Sequence, residues 1–207
     1  EYDPKVASAV RETEHEVDQY EDMLGTYLVK LSSQELSAHD SRQTTKMLHL
    51  INDFERISDH AVNVVEAAEE MKNKGLQFSQ FAQEELSVLT AAVNEIMDLS
   101  LDAFLKNDSG LAAAVEPLEE VIDTLKDQLR TRHILRLQKG ECTIELGFVW
   151  SDLLTDLERV SDHCSNIASA MIEMRHDALD LHHYLTDYEE SSYYKQTHAE
   201  FAAKYSL

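Results

Sequence analysis

Breakers of regular structure are scarce: the chain has five glycines and two prolines in 207 residues. With Ala, Leu, Glu, Gln, Lys and Met plentiful, that composition favours long helices joined by few turns. Cysteine is nearly absent too. Cys142 and Cys164 make no paired framework, which argues against a disulfide-stapled domain and fits a reducing compartment. Cys164 falls at a core position and reads as a small buried apolar residue. Positive charge is in short supply, with 18 Lys and Arg against 40 Asp and Glu, a net charge of −22. A field of that sign repels phosphate backbones and anionic lipid surfaces, so nucleic acid is excluded as a partner, while basic partners and cations suit it. No apolar run reaches the roughly 20 residues of a membrane span, so direct membrane insertion of this chain is not expected. There is no secretory signal segment. The chain opens on Glu1 rather than Met, as a piece of a longer protein would.

What the chain does have is a polar repeat. Residues 51–64, INDFERISDHAVNV, return at 154–167 as LTDLERVSDHCSNI. Seven of the fourteen positions are identical: Asp53/Asp156, Glu55/Glu158, Arg56/Arg159, Ser58/Ser161, Asp59/Asp162, His60/His163 and Asn63/Asn166. A shared apolar skeleton would indicate only a shared packing mode. A shared polar set indicates shared chemistry, here at an offset of 103 residues from Glu55 to Glu158.

Around the repeat the apolar residues step by threes and fours, the period of helices packed side by side. A first helix is predicted over 5–31, with Val6, Val10, Val17, Tyr20, Leu24, Tyr27 and Leu31 inward. A second runs from about Ser37 to Lys74 on the seam Met47, Leu50, Phe54, Ile57, Ala61, Val64, Ala68 and Met71. It would be about 55 Å long, and Gly75 closes it. A third spans about Ser79 to Lys106, with Phe81, Leu89, Val93, Ile96 and Phe104 inward, before the break at 107–110. A fourth covers about Leu111 to Gln138, either kinked at Pro117 or starting nearer Glu116. A fifth covers about Thr143 to His176 on the seam Trp150, Leu153, Leu157, Val160, Cys164, Ile167, Met171 and Met174, which maps onto the second-helix seam at the same offset. The remainder carries five of the eight tyrosines (Tyr184, Tyr188, Tyr193, Tyr194, Tyr205) with His182, His183 and His198, and reads as a loop and a short helix near Tyr193 to Lys204. The fold class is therefore all-α: a tandem repeat of two three-helix bundles with long middle helices. Residues 1–107 are the first repeat, 108–178 supply two long helices of the second, and the tail at 179–207 completes it. Short connections make neighbouring helices antiparallel.

The repeated acids lie off the seam. With Phe54 and Ala61 as heptad position a, Glu55 falls at b and Asp59 at f; Glu158 and Asp162 repeat this. The first and fourth helices carry the same spacing as Glu14-x-x-x-Asp18 and Glu119-x-x-x-Asp123. Residues four apart are neighbours on a helix surface and like charges there repel. A single such pair is ordinary solvated surface, but four at matching places in two repeats are not. Converging carboxylates call for bound protons or a cation, and all-oxygen ligation suits a hard ion such as Mg²⁺, Ca²⁺, Mn²⁺ or ferric iron. His60 and His163, at g, add a nitrogen ligand, hydrogen-bond a carboxylate or lie against the neighbouring helix. Arg56 and Arg159 either pair with Asp53, Asp59, Asp156 or Asp162 or act on a ligand. Asn63 and Asn166, four beyond Asp59 and Asp162, bond that carboxylate or bind a ligand.

These residues resemble the PhoU family, whose two-repeat six-helix fold carries E/D-x-x-x-D motifs and a signature close to D-L-E-R-[IV]-[GS]-D-H-x-x-N-[IV]. The resemblance covers about residues 5–176. It implies metal clusters, often of iron, on the surface carrying the motifs: Glu14, Asp18, Glu55 and Asp59 for one, and Glu119, Asp123, Glu158 and Asp162 for the other. His60, His163, Arg56, Arg159, Asn63 and Asn166 would support them. It also implies regulation of phosphate uptake and signalling, and homodimers. The non-Met start and the Tyr/His-rich tail resemble the cytoplasmic C-terminal region of bacterial Na⁺/phosphate cotransporter-family proteins. The expected partner is thus a membrane transporter domain of the same polypeptide, at the cytoplasmic side of the inner membrane. The alternative is a free-standing cytoplasmic PhoU-type regulator.

An enzyme is the less favoured reading. Glu12-x-x-His15 and Glu173-x-x-His176 have di-iron spacing, but both pairs fall at outward positions and do not correspond between repeats. No nucleophile elbow, phosphate-binding Gly-rich loop or zinc-protease motif is present, so no catalytic residues are assigned.

Overall fold

A computed structural model describes residues 2–175 and 191–207. Among them there is no strand. The helices are α1 (Pro4–Ser32), α2 (Ala38–Lys74), α3 (Gln80–Lys106), α4 (Ser109–Ala113), α5 (Val115–Gln138), α6 (Ile144–Arg175) and α7 (Ser192–Lys204). No described helix is long and apolar enough to cross a membrane. The sequence accounts for the boundaries locally. Asp3, Ser37, Ser79, Asp108 and Ser191 each accept a backbone N–H from the first turn that follows, the bond that a free helix N-terminus lacks. Gly75 ends α2 in the left-handed region (φ 65°), where a side chain would be strained. The fourth predicted helix divides at Ala114 into α4 and α5. Pro117 has no N–H to return to Ala113, so the chain restarts at Val115, near the start anticipated at Glu116.

α6 is the central element. α2, α3, α4 and α5 all pack on it, α1 packs on α2, and α7 packs on α5. The core holds Leu89, Val93 and Ile96 of α3, Leu118, Ile122 and Leu129 of α5, and Trp150, Val160 and Cys164 of α6. The Ser100 hydroxyl donates to the Cys164 carbonyl (3.1 Å) and so ties α3 to α6. α7 is anchored from its far end. Lys204 pairs with Glu95 at 2.7 Å, and the Tyr205 hydroxyl donates to the same carboxylate.

Several predicted inward residues are not covered. Tyr20, Leu24, Tyr27 and Val6 of α1 are exposed, as are Met47 of α2 and Phe81 and Phe104 of α3. The reason is topological. α3 lies against α6 and α5, so its buried stripe serves the second half of the chain, and among the described helices the one that packs on α1 is α2. Phe104 still meets Phe54 edge-on (centroids 5.1 Å apart), placing the end of α3 beside the middle of α2. Tyr184, Tyr188, His182, His183 and His176 lie outside the described residues. Tyr194 and Tyr205 are buried, Tyr193 is exposed and His198 is half-buried.

Candidate functional site

The repeated polar set separates into two structures. The first is a crossed brace between α2 and α6. His60 Nδ1 lies 2.8 Å from Asp156 Oδ1, and His163 Nδ1 lies 2.9 Å from Asp53 Oδ1. Asn63 and Asn166 donate to the same two oxygens, at 3.0 and 3.2 Å. A carboxylate only accepts, so each Nδ1 carries the proton in these bonds. The two imidazoles stack on one another, 5.7 Å between centroids. Every member is answered by its repeat mate, as a local two-fold relation would require. Of the readings left open for His60 and His163, the hydrogen bond to a carboxylate of the neighbouring helix is the one found. Of the pairings offered for the arginines, Arg159 takes Asp162, while Asp53 and Asp156 partner His and Asn of the opposite repeat. One reading is corrected: Asn63 and Asn166 bond Asp156 and Asp53 rather than Asp59 and Asp162. Helix spacing showed these residues near the seam; it could not show which helix would come to meet them.

The second structure is the pair of acidic clusters. Since α1 packs on α2 and α5 on α6, the four E/D-x-x-x-D motifs fall on adjacent helices, as the pairing of motifs implied. In the first cluster burial, then the Asp59 charge and a hydrogen bond with Asp59, hold the Glu55 carboxyl above the usual carboxylate range; Asp18 adds to this from α1. Glu14 stands one turn before Asp18 on the same helix. Arg56 is more than half exposed and comes only within 3.9 Å of Glu55. The donors are thus carboxylate oxygens, a set that suits a hard metal ion; the cation that bridges α1 and α2, Arg11, pairs with Glu69 (2.7 Å) rather than with an acid of this cluster.

In the second cluster burial, then Glu116, Asp162, Asp123 and Glu120, push the Glu119 carboxyl up to about 7. Burial and Glu158 raise Asp162 as well. Here cations are present. Lys126 Nζ lies 2.8 Å from Glu158 and 3.1 Å from Asp123, bridging α5 and α6. Arg159 reaches Asp162 at 3.2 Å. The Glu116 carboxylate accepts from the Ser165 hydroxyl. Sequence reasoning missed Lys126, although it stands seven residues after Glu119 and so on the same helical face. Among the described residues, no group of three or more acids, histidines or cysteines is gathered tightly enough to hold a metal ion as the side chains stand. Glu12 and His15 are exposed on α1, away from any core, which removes half of the di-iron spacing from consideration.

A further network went unread. Glu85 of α3 is buried and accepts from Arg132 (3.1 Å) and Arg136 (2.7 Å) of α5. Arg136 also lies over the Trp150 ring, against which His133 stacks.

The comparisons with known proteins follow this geometry. The family model described as the PhoU domain matches residues 1–68 and 86–171, so it takes in both copies of the repeated polar set. A Thermotoga maritima protein named phosphate-specific transport system accessory protein PhoU homolog 1 is 28% identical over 131 residues, covering 63% of this chain and 56% of that protein. The Pseudomonas aeruginosa protein named phosphate-specific transport system accessory protein PhoU homolog is 27% identical over 173 residues, covering 82% of this chain and 70% of its own length. The chain therefore spans between about half and 70% of the length of these relatives. The crystal structure of PhoU from Pseudomonas aeruginosa superposes with a TM-score of 0.76 at 24% identity, covering 84% of this chain and 83% of that one. At that identity the likeness concerns the fold.

Proposed function

The chain belongs to the PhoU family, and from that premise we propose that it is a non-catalytic regulator of phosphate transport. The observation that carries this reading is the family match across both repeats, with relatives named as accessory proteins of phosphate-specific transport systems. Those names support an accessory, PhoU-type regulator better than a domain of a sodium/phosphate cotransporter. We therefore place the accessory reading first and keep fusion to a transporter as the narrower alternative.

In the proposed mechanism the acidic face meets the transport machinery. Basic cytoplasmic loops of a membrane protein carry an excess of Lys and Arg, and a chain of net charge −22 attracts them. The first cluster is where a resident metal would bear on this contact. Asp18, Glu55 and Asp59, with Glu14 beside them, would hold a hard cation through oxygen. Such an ion would supply positive charge on the acidic face and weaken its hold on basic partners. The chain's own part is to crowd carboxylates at one place and to fix α2 against α6 by the crossed brace. Contact would accordingly weaken with salt. The test is phosphate uptake by cells with and without the encoding gene, each at high and low phosphate. Uptake that stays high in phosphate-replete cells only when the gene is removed is the expected result. Identical uptake in both, under both conditions, would overturn the reading.

A further inference from the structure

We propose that Lys126 is a built-in counter-ion that takes the place of a metal in the second carboxylate cluster, so that the two clusters of this chain are unequal and only the first is open to a cation. The proposal rests on the metal reading above for the first cluster and stands apart from it for the second.

The geometry is specific. Lys126 projects from α5 on the same face as Glu119 and Asp123, which lie seven and three residues before it. Its Nζ is within hydrogen-bond distance of one carboxylate on its own helix and one on α6, Asp123 at 3.1 Å and Glu158 at 2.8 Å. The side chain is only 20% exposed, and that of Glu158 15%. An ammonium held between two carboxylates in a partly desolvated cleft is a compact point charge with three donors, and here it donates to two oxygens that a metal would otherwise draw. It both satisfies the acids and repels an arriving cation. Arg159 satisfies a third acid, Asp162.

Among the described residues the first cluster has no equivalent of Lys126. Glu14 and Asp18 match Glu119 and Asp123 at an offset of 105, and the same offset carries Lys126 back to Glu21, another acid. Arg56, the counterpart of Arg159, makes only the 3.9 Å approach to Glu55. Where the repeats agree in their acids they thus disagree in what neutralises them. Removing the lysine alone leaves Glu158 without its partner in a partly covered cleft and costs stability, so the folding of each Lys126 variant is measured beside its metal binding.

The experiment uses the full chain, stripped with a chelator and titrated with Mn²⁺, with free Mn²⁺ read by electron paramagnetic resonance. The parent is expected to bind Mn²⁺ in one class of site. Glu55→Gln with Asp59→Asn should weaken that class at least tenfold, and Glu158→Gln with Asp162→Asn should leave it within twofold. Lys126→Met, which keeps the aliphatic stem, should add a second class, and Glu158→Gln with Asp162→Asn should abolish it. Lys126→Arg, which keeps the charge, should add none. A parent that binds no Mn²⁺ while Lys126→Met gains a site would sink the metal reading of the first cluster and support the role of Lys126. No gain in Lys126→Met, an equal gain in Lys126→Arg, or a parent whose binding falls tenfold on Glu158→Gln with Asp162→Asn would each overturn the proposal. Helical circular dichroism matching that of the parent qualifies each variant; were Lys126→Met to unfold, Lys126→Gln takes its place with the same expected gain.

Discussion

His60 on α2 donates through Nδ1 to Asp156 on α6, 96 residues away in sequence and 2.8 Å away in space. The reverse bond, His163 to Asp53, makes a polar joint between α2 and α6. Both aspartates are at least 85% covered and both imidazoles more than 80%, so the two histidine donors have little water to turn to, whereas Asn63 and Asn166 are exposed.

Asp53→Ala is therefore expected to leave the covered His163 donor unanswered and to destabilise the fold by about 1–3 kcal/mol, the cost of an orphaned buried polar group. Asp53→Asn should cost less, because an amide oxygen can still accept. Urea unfolding measures both. A double-mutant cycle should show coupling between His60 and Asp156 and little between His60 and Asp53.

Glu119 makes the stability of the metal-free protein fall with pH. Its folded value of about 7 lies above the ordinary carboxylate value of 4.5. Between those values the folded state holds a proton that the unfolded chain has released. The penalty is absent below about pH 4.5, grows as the pH rises towards 7, and is complete above it. Glu119→Gln should thus stabilise the protein at pH 8 by about 2–3 kcal/mol and change little at pH 4.5. Thermal unfolding at the two pH values checks the sign. Equal effects at both would place the raised value elsewhere.

Glu85→Ala should destabilise by about 3 kcal/mol, because Arg136, whose side chain is only 14% exposed, loses its counter-charge inside the bundle. Arg132, 43% exposed, is a rim partner, and Arg132→Ala should cost less than about 1 kcal/mol. Chemical denaturation of the two variants distinguishes a buried network from a surface one.

Two glycines should respond oppositely to alanine. Gly75 holds φ at +65°, and although nothing stands within 4 Å of an added Cβ, the left-handed backbone makes Gly75→Ala destabilising by about 1 kcal/mol. Gly25 lies inside α1, and an added Cβ would meet only Glu21 Oε1, at 3.9 Å. Gly25→Ala should stabilise by about 0.5–1 kcal/mol through helix propensity. Urea midpoints measure both.

Much of the fold is legible along the chain because helix formation and capping are local. The seams of 47–71 and 150–174, Ser37 and Ser79 as caps, and Gly75 as a stop all act within a few residues of themselves. The repeat of Asp53 to Asn63 at Asp156 to Asn166 likewise announced two copies of one arrangement, and the heptad put Glu55 and Asp59 outside the seam. Only the tertiary structure decided who meets whom. A seam says that a face is apolar, not which helix will cover it, so Tyr20 and Tyr27 stand exposed once α3 spends its apolar face on α6 and α5. A position at the edge of the seam brings His60 to a neighbour, but that the neighbour is α6, with Asp156 at the right level, depends on how two distant helices pack. Lys126 shows the same division. Its place on the face of Glu119 and Asp123 follows from 3.6 residues per turn, whereas its bond to Glu158 exists because α5 and α6 lie side by side and leave an ammonium between two carboxylates no better-hydrated place to go.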